Sequence, residues 1–509
     1  MARYLVTGGT GVWNSTTNWS ATSGGASGAS VPTILDDVII DILSLNANIT
    51  VNTTSACLTL NISSYIGTFA MNAQLTVNGN ITLSSGMNIS GTGLLNFLNS
   101  STLTSNGKTW SSPISFGGTS KVYTLADDWT CTANVNFGGV GTIINGNTFY
   151  LSSGLATTAS STSGTTNFVL NGTGAWSGTG VLRNNLTINT AGTITMGVLA
   201  AYGGGILTYT AGTVITTGNT LTIVNGATLN TNGIIWNNIT FSASTTHTLT
   251  SNLTLSGTWS QNSGVLVTIN GFQVNVGSVL SSGGAGATLG TTNFLISGTT
   301  NVILGGTQGF KNNLTINSSG TVTITSLINY SVGTLTYISG TMSIVAPTLT
   351  INGSCTLNTN GILWNNITIT LASTITLLSN LSLLGILTFP NAATTFLGAY
   401  TITTPNITTA AISSARIYTF EEGQIWNIST SLKLYGAGAG FKILLTSNSP
   451  TGYVTFNLYQ GATQDVEFCA ATRIDSSLGQ TIWSYRTTLI DTLNWNEMST
   501  TPGTISYTS

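Results

Sequence analysis

Charge is nearly absent from this chain. Only 4% of its 509 residues are Asp, Glu, Lys or Arg, against about 25% in ordinary globular proteins. Ten basic residues and a formal net charge of -2 supply no surface able to track a phosphate backbone, which excludes nucleic acid as a partner. Histidine occurs once, as His247, with no acid near it in sequence. No Ser-His-Asp or Cys-His unit can be built without it, so it reads as a packed or solvent-facing strand residue. The four cysteines, Cys57, Cys131, Cys355 and Cys469, lie far apart without Cys-x-x-Cys spacing. Buried free thiols are expected, and no metal or cofactor site.

Long apolar runs are also missing. The mean hydropathy is +0.32, yet no run approaches the ~18 to 20 residues of a membrane helix. An outer-membrane barrel wants alternating strands of ~10 residues and aromatic girdles, and the apolar segments here are shorter. Membrane insertion is not expected. The opening Met-Ala-Arg-Tyr-Leu-Val-Thr lacks the apolar core of a secretory signal. Helix formers such as Glu, Lys, Arg and Gln are scarce, so almost no helix is expected.

What is present is Gly (60 residues), Thr, Ser and Asn around an apolar fraction of 41%, enough to form a core. The text repeats. Asn230-Thr-Asn-Gly-Ile-Ile-Trp-Asn-Asn-Ile-Thr240 returns as Asn358-Thr-Asn-Gly-Ile-Leu-Trp-Asn-Asn-Ile-Thr368, an offset of 128 residues. Asn184–Asn189 recurs at Asn312–Asn317, Leu207–Tyr209 at Leu335–Tyr337 and Ser251–Leu255 at Ser379–Leu383. A fainter echo is Asn106-Gly107 with Trp110. Such a period marks a stacked, quasi-one-dimensional architecture.

Within the period, apolar–polar–apolar strands of three to five residues recur about every 21 residues, as at Leu186, Leu207 and Leu229. They close on Asn-Gly, Ser-Gly or Thr-Gly, which suit tight turns. A right-handed parallel β-helix with two or three strands per turn accommodates this coil length. A propeller blade needs ~40 to 50 residues. At about 21 residues per coil the repetitive body holds roughly 17 rungs, which at ~4.8 Å per rung make a rod on the order of 80 Å long. Stacked Ile, Leu and Val fill the core, and stacked Asn amides can bond along the axis. Stacked like charges would repel, which explains their absence.

Three zones follow from the charge map. Residues 1–41 carry Arg3, Asp36, Asp37 and Asp41. The body, 42–415, has only Arg183 and Lys311 beyond Asp128, and these two are themselves 128 residues apart. Residues 416–509 carry twelve of the 22 formal charges and form either terminal rungs or a small β-sandwich. The tail after Trp495 is expected to be loose. Trp13 and Trp19 suit a lid over the first rung, since an open solenoid end invites aggregation. Trp110, Trp236 and Trp364 match across repeats; core filling is favoured over a sugar-binding row.

Chemistry is sparse. Candidate carboxylate pairs for glycan cleavage are Asp127 with Asp128, Glu421 with Glu422, and Asp465 with Glu467. Adjacent strand residues face opposite ways, which leaves Asp465 and Glu467 on one face, with Arg473 and Asp475 as neighbours. The bland alternative is a solvated strand. Asp36, Asp37 and Asp41 could attract calcium but lack loop spacing. The Asn-x-Thr triplets at Asn185, Asn238, Asn313 and Asn366 read as chance products of an Asn/Thr-rich strand rather than glycosylation sites. Thr193-Ile-Thr195 and its like resemble ice-binding faces but are irregular. No catalytic residue is assigned.

The opening Gly11-Val-Trp13, Asn18-Trp19-Ser20, Ser23–Pro32 and Asp36–Asp41 resembles the start of a loose class of bacteriophage virion proteins. The closing Phe420-Glu-Glu-Gly423, Leu444–Gly452, Val466-Glu-Phe468, Ile474-Asp475 and Asp491–Asn496 is similar to that class too. The resemblance covers both ends and the texture between them. It implies a structural virion protein of the Gly/Thr/Asn-rich β-solenoid type, fibre- or spike-like, used for attachment or decoration and located in the virion. The implied partners are other virion proteins, further copies of the chain (a trimer among the options) and host surface glycan. The alternatives are a tailspike-like glycan depolymerase using Asp465, Glu467 or Asp475, and a non-viral adhesin or filament subunit.

Overall fold

The structure is a computed structural model that describes every residue except 7–9, 45–46, 159–160, 283–285, 305–308, 326–327, 346–347, 360 and 499–509. The chain is all-β and coils as a β-solenoid of about 21 turns built from parallel stacked sheets. Among the described residues, helix is confined to two short 3-10 segments, Thr16–Asn18 and Ile42–Ser44. Two compact units are distinguished: Met1–Ser242 with Thr246–Leu253, and Ala243–Thr245 with Thr254–Ser509.

In the first unit the edge of the sheet at Ala2–Leu5 is covered by the two-residue antiparallel strand Trp19–Ser20. Both head tryptophans point inward and are fully buried. Trp13 and Trp19 meet edge-on at 5.0 Å, and Trp19 Nε1–H donates to the Trp13 carbonyl at 2.8 Å. A short edge strand and an indole plug together cover this edge against pairing with another chain. This is the lid expected from the sequence, made from inside rather than laid on top.

Register then carries the stacking. Val38, Leu60, Ile81, Leu103 and Leu125 succeed one another in parallel register, and all are buried. An aromatic column runs beside them: Phe97 on Phe116 at 5.4 Å and Phe116 on Phe137 at 5.1 Å, both stacked. Apolar burial of this kind is worth ~25 cal/mol per Å². In the second unit Phe294, Leu314, Leu335, Leu357 and Leu377 form the equivalent column.

The 128-residue repeat is a repeat of structure. Asn185–Met196 and Asn313–Ile324 are both twelve-residue strands. Their pairings slip at the same points, Ile188/Asn189 and Ile316/Asn317. Asn184 and Asn312 are buried, donating to the Thr166 and Thr292 carbonyls at 3.3 and 3.2 Å. Tyr202 and Tyr330 hydroxyls donate back to their carbonyls at 3.2 and 3.1 Å. In the motif that returns, Trp236 and Trp364 are buried, as is Trp110, while Ile235 and Leu363 face outward. Gly233 holds φ +100, and a Cβ there would lie 2.8 Å from the Tyr209 ring. The residue after Thr231 turns sharply, and the Ser251 hydroxyl of the next coil accepts the N–H groups of Thr231 and Asn232 at 2.8 and 3.0 Å.

Asparagine acts differently from the amide ladder expected of it. Side chain to side chain steps do occur, from Asn99 to Asn78 and from Asn457 to Asn427. More often Asn Oδ1 accepts a backbone N–H one coil ahead. Asn48 takes Thr68 at 2.8 Å, Asn80 takes Thr102 at 2.8 Å, Asn185 takes Ile206 at 3.0 Å, Asn313 takes Thr334 at 2.9 Å, and Asn366 takes Ile386 at 2.8 Å. A coil must break its ladder at each corner, and an N–H orphaned there needs an acceptor.

From 416 onward the strands continue the parallel stacking and do not form a sandwich. Arg416–Phe420 pairs with Thr394–Leu397 behind it and Ile443–Ser447 ahead. The coils lengthen, since Trp426 now registers with Phe456, and their rings stack at 5.6 Å. Asn496, Glu497 and Met498, expected to be loose with the rest of the tail after Trp495, are instead paired in the strand Trp495–Met498; the remainder of that tail, 499–509, lies outside the described residues.

Replacing Asn313 by Ala removes the acceptor of the Thr334 N–H at a solvent-accessible corner and should cost about 0.5 to 1.5 kcal/mol. Asn313→Asp keeps the oxygen and should lose clearly less. Thermal melting followed by far-ultraviolet circular dichroism checks the order; equal losses would mean the bond is not what the residue contributes.

Candidate functional site

The residues singled out in the repetitive body turn out to hold the fold. Asp127 accepts the N–H groups of Ser105 and Asn106 at 2.7 and 2.6 Å, and Asp128 accepts that of Thr148 at 2.9 Å. Asp127 thus does for the first Asn-Gly turn what Ser251 does for its repeat. Glu421 accepts the Gly398 N–H. In the head, Asp36 accepts from the Thr33 N–H and hydroxyl at 2.9 and 2.7 Å and pairs with Arg3 at 3.5 Å. Burial raises its pKa, but the Thr33 hydrogen bonds and Arg3 outweigh that and hold it below the usual value. Asp37 accepts the Thr59 hydroxyl and Asp41 that of Ser23, both at 2.6 Å. Among the described residues no three His, Cys, Asp or Glu side chains converge on a metal position.

His247 is buried on the strand Thr245–Leu249. Its Nδ1 accepts the Ala227 N–H at 3.2 Å, and its ring meets Phe241 edge-on at 4.8 Å. Burial pushes its pKa down to about 4. All four cysteines are free and buried. Burial raises every thiol, to about 12 at Cys131, Cys355 and Cys469. None of these groups is exposed to a substrate.

The outward side chains behave otherwise near the C-terminal end of the second unit. One outward column reads Thr350, Thr368, Thr388, Thr408 and then, still in register, Lys433 and Asp465. The strands that follow are Ile425–Tyr435, Thr463–Glu467 and Ile482–Tyr485. Leu432, Leu434, Val466 and Ile482 point into the core. Their alternating neighbours Lys433, Tyr435, Asp465, Glu467, Trp483 and Tyr485 therefore share the outer face. Tyr435 sits across from Glu467, and Glu467 across from Tyr485. The buried Gln464 fastens two of these strands, donating to the Thr481 carbonyl at 3.0 Å and accepting the Trp483 N–H at 2.7 Å.

The Tyr435 hydroxyl donates to Asp465. Partial burial first, then this bond and the charges of Asp465 and Glu467, push the phenol up to about 12. Arg486 places its guanidinium 4.7 Å from the Tyr485 ring centre and 5.1 Å from that of Phe468, a cation–π arrangement. Beside it lies a hollow of about 410 Å³ lined by Tyr485, Arg486, Glu497 and Met498.

Asp465 and Glu467 share a face as the sequence suggested. Asp475 does not join them. It registers with Thr455, on the other series of strands, and its carboxylate caps the Ser477 N–H at 2.7 Å. Arg473 pairs with Asp491 at 3.5 Å, and Asp491 also accepts the Tyr453 hydroxyl at 2.6 Å. Two polar clusters thus replace the single one anticipated. Lys433, Tyr435, Trp483, Tyr485 and Arg486 were not singled out from sequence. The available signal was Ile482-Trp-Ser-Tyr485, where a strand with a buried aliphatic residue leaves both aromatic residues on the opposite parity. Thr193 and Thr195 lie across from Thr213 and Ile215, so the threonine array breaks there.

Comparison of the chain with protein-family models, curated proteins and solved structures yields no match.

His247 gives a pH test. Its folded pKa lies below its ordinary 6.5, so its stabilising contribution is complete above pH 6.5 and is lost as pH falls toward 4, by about 3 kcal/mol in all. Asp36 is depressed in the carboxylate range, so its contribution is lost only below about pH 4. Urea midpoints of the native chain should fall between pH 6.5 and 4, and His247→Gln should flatten that slope. An unchanged slope would remove His247 as its source.

Proposed function

We propose that this chain is a structural component of a bacteriophage virion, a fibre, spike or surface protein that serves attachment or decoration. The observation that carries the reading is a division of labour along the chain. In the body, the Asn, Asp, Ser and His side chains that could do chemistry bond the backbone of a neighbouring coil. Non-repeating outward charges and rings gather where the repeat stops. A scaffold that presents one distinctive face fits a protein acting by shape and surface. The β-solenoid fold and the resemblance of both ends to virion proteins support the same reading. Its proposed partners are other virion proteins and further copies of the chain, a trimer included, with host surface glycan as the target.

One observation favours a second reading. Asp465 and Glu467 stand on the same outer face, the arrangement a glycan depolymerase would need. Against it, Asp465 is engaged by Tyr435 and Asp475 lies elsewhere.

Mass spectrometry of purified particles should find the chain in the virion, and the isolated protein should release no reducing ends from host polysaccharide. Release that disappears in the triple variant Asp465→Asn, Glu467→Gln, Asp475→Asn would replace attachment by hydrolysis. Isolated filaments without particles would favour a non-viral adhesin.

A further inference from the structure

Tryptophan distribution singles out one residue. The chain has eleven tryptophans, all among the described residues. Ten of them, from Trp13 to Trp495, are buried. Trp483 is the exception: it is half-buried and alternates outward between the buried Ile482 and Ser484. A large ring left partly in water is costly on a fold that buries every other copy. Its neighbours on the face are Tyr435, Asp465, Glu467 and Tyr485, with Arg486 stacked on the Tyr485 ring.

We propose that this face binds a neutral pyranose glycan, with Trp483 as the stacking platform. The proposal rests on the attachment reading above and names its ligand and contact residues. The chemistry of the face selects the class. Sugar rings have an apolar face of C–H groups that packs on an aromatic ring, and a rim of hydroxyls. Trp483 and Tyr485 supply the rings. Asp465 and Glu467 supply acceptors able to take paired hydroxyls by charge-assisted bonds. Two cations, Lys433 and Arg486, are interspersed with three anions, Asp465, Glu467 and the Glu497 beside Arg486, so a polyanion or a polycation meets a like charge wherever it lies. The face is a flat parallel sheet whose rungs are ~4.8 Å apart, comparable to the rise per sugar of an extended glycan. Successive sugars can therefore meet successive strands. The column of Thr350, Thr368, Thr388 and Thr408 extends the same face with hydroxyls.

The test uses the full chain against a panel of neutral α- and β-linked hexose tetramers to hexamers and host O-chain polysaccharide, with heparin and polyuronate as charged controls. At least one neutral glycan should bind and blue-shift the emission of the single succinimide-accessible tryptophan. Trp483→Ala should weaken binding at least tenfold, Trp483→Phe should restore part of it, and Asp465→Asn should weaken it severalfold without changing the melting curve. Preference for the polyanions would overturn the proposal, as would no binding across the panel or binding indifferent to Trp483→Ala. Two other occupants are read in the same samples. Shielding of Trp483 that is relieved by removing residues 499–509, or loss of self-association in Trp483→Ala with glycan binding unchanged, assigns the face to the chain itself and overturns the glycan proposal. Particle mass spectrometry is independent of these outcomes, so loss of the glycan proposal leaves the virion reading standing.

Discussion

The structure depends on what happens to the backbone N–H groups at the corners of each coil. Parallel ladders satisfy the strands, but a chain that turns every few residues leaves donors outside any ladder. Each donor buried without an acceptor costs on the order of 1 to 3 kcal/mol. The chain meets this with short side-chain oxygens reaching one coil along the axis, from Asn at Asn48, Asn185, Asn313 and Asn366, from Asp at Asp127 and from Ser at Ser251. Asn, Asp and Ser are interchangeable in this role because each offers an oxygen at similar reach. That interchange explains why the repeat drifts in sequence while its register holds.

The same constraint accounts for the scarcity of charge. A neutral amide at a corner accepts the same N–H, less strongly than a carboxylate, but can recur in every coil without repulsion. Lys or Glu in the same column would face its own copy ~4.8 Å away. Beyond Asp128, charges therefore survive in the body only at a wide interval, at Arg183 and Lys311. They accumulate only where coils lengthen and columns stop repeating, as when Thr408 gives way to Lys433 and Asp465. Function has room at that point because the polar residues there are no longer all required for the coil.

Much of this was legible in the sequence. The return of Asn230–Thr240 at Asn358–Thr368 announced the solenoid, and the period of about 21 residues set the coil. The burial of Trp110, Trp236 and Trp364 and the head plug of Trp13 and Trp19 followed from the same pattern. Three things were not legible, each for a physical reason. The grouping of Asp475 with Asp465 failed because lateral position depends on coil length, and the coils beyond 416 grow without a marker. The role of Asn was read as amide on amide because sequence gives spacing but not which atom of the next coil lies nearest. Trp483 escaped notice because one outward ring is conspicuous only when the other ten are known to be buried.

The central claim is that side-chain oxygens of one coil satisfy the corner N–H groups of the next. Site-resolved hydrogen exchange of the native chain tests it most directly. The amides of Thr68, Thr102, Ile206, Thr334 and Ile386 should exchange as slowly as those inside the adjoining strands. Exchange at the rate of solvent-exposed turns would contradict the account and leave the abundance of asparagine without a cause.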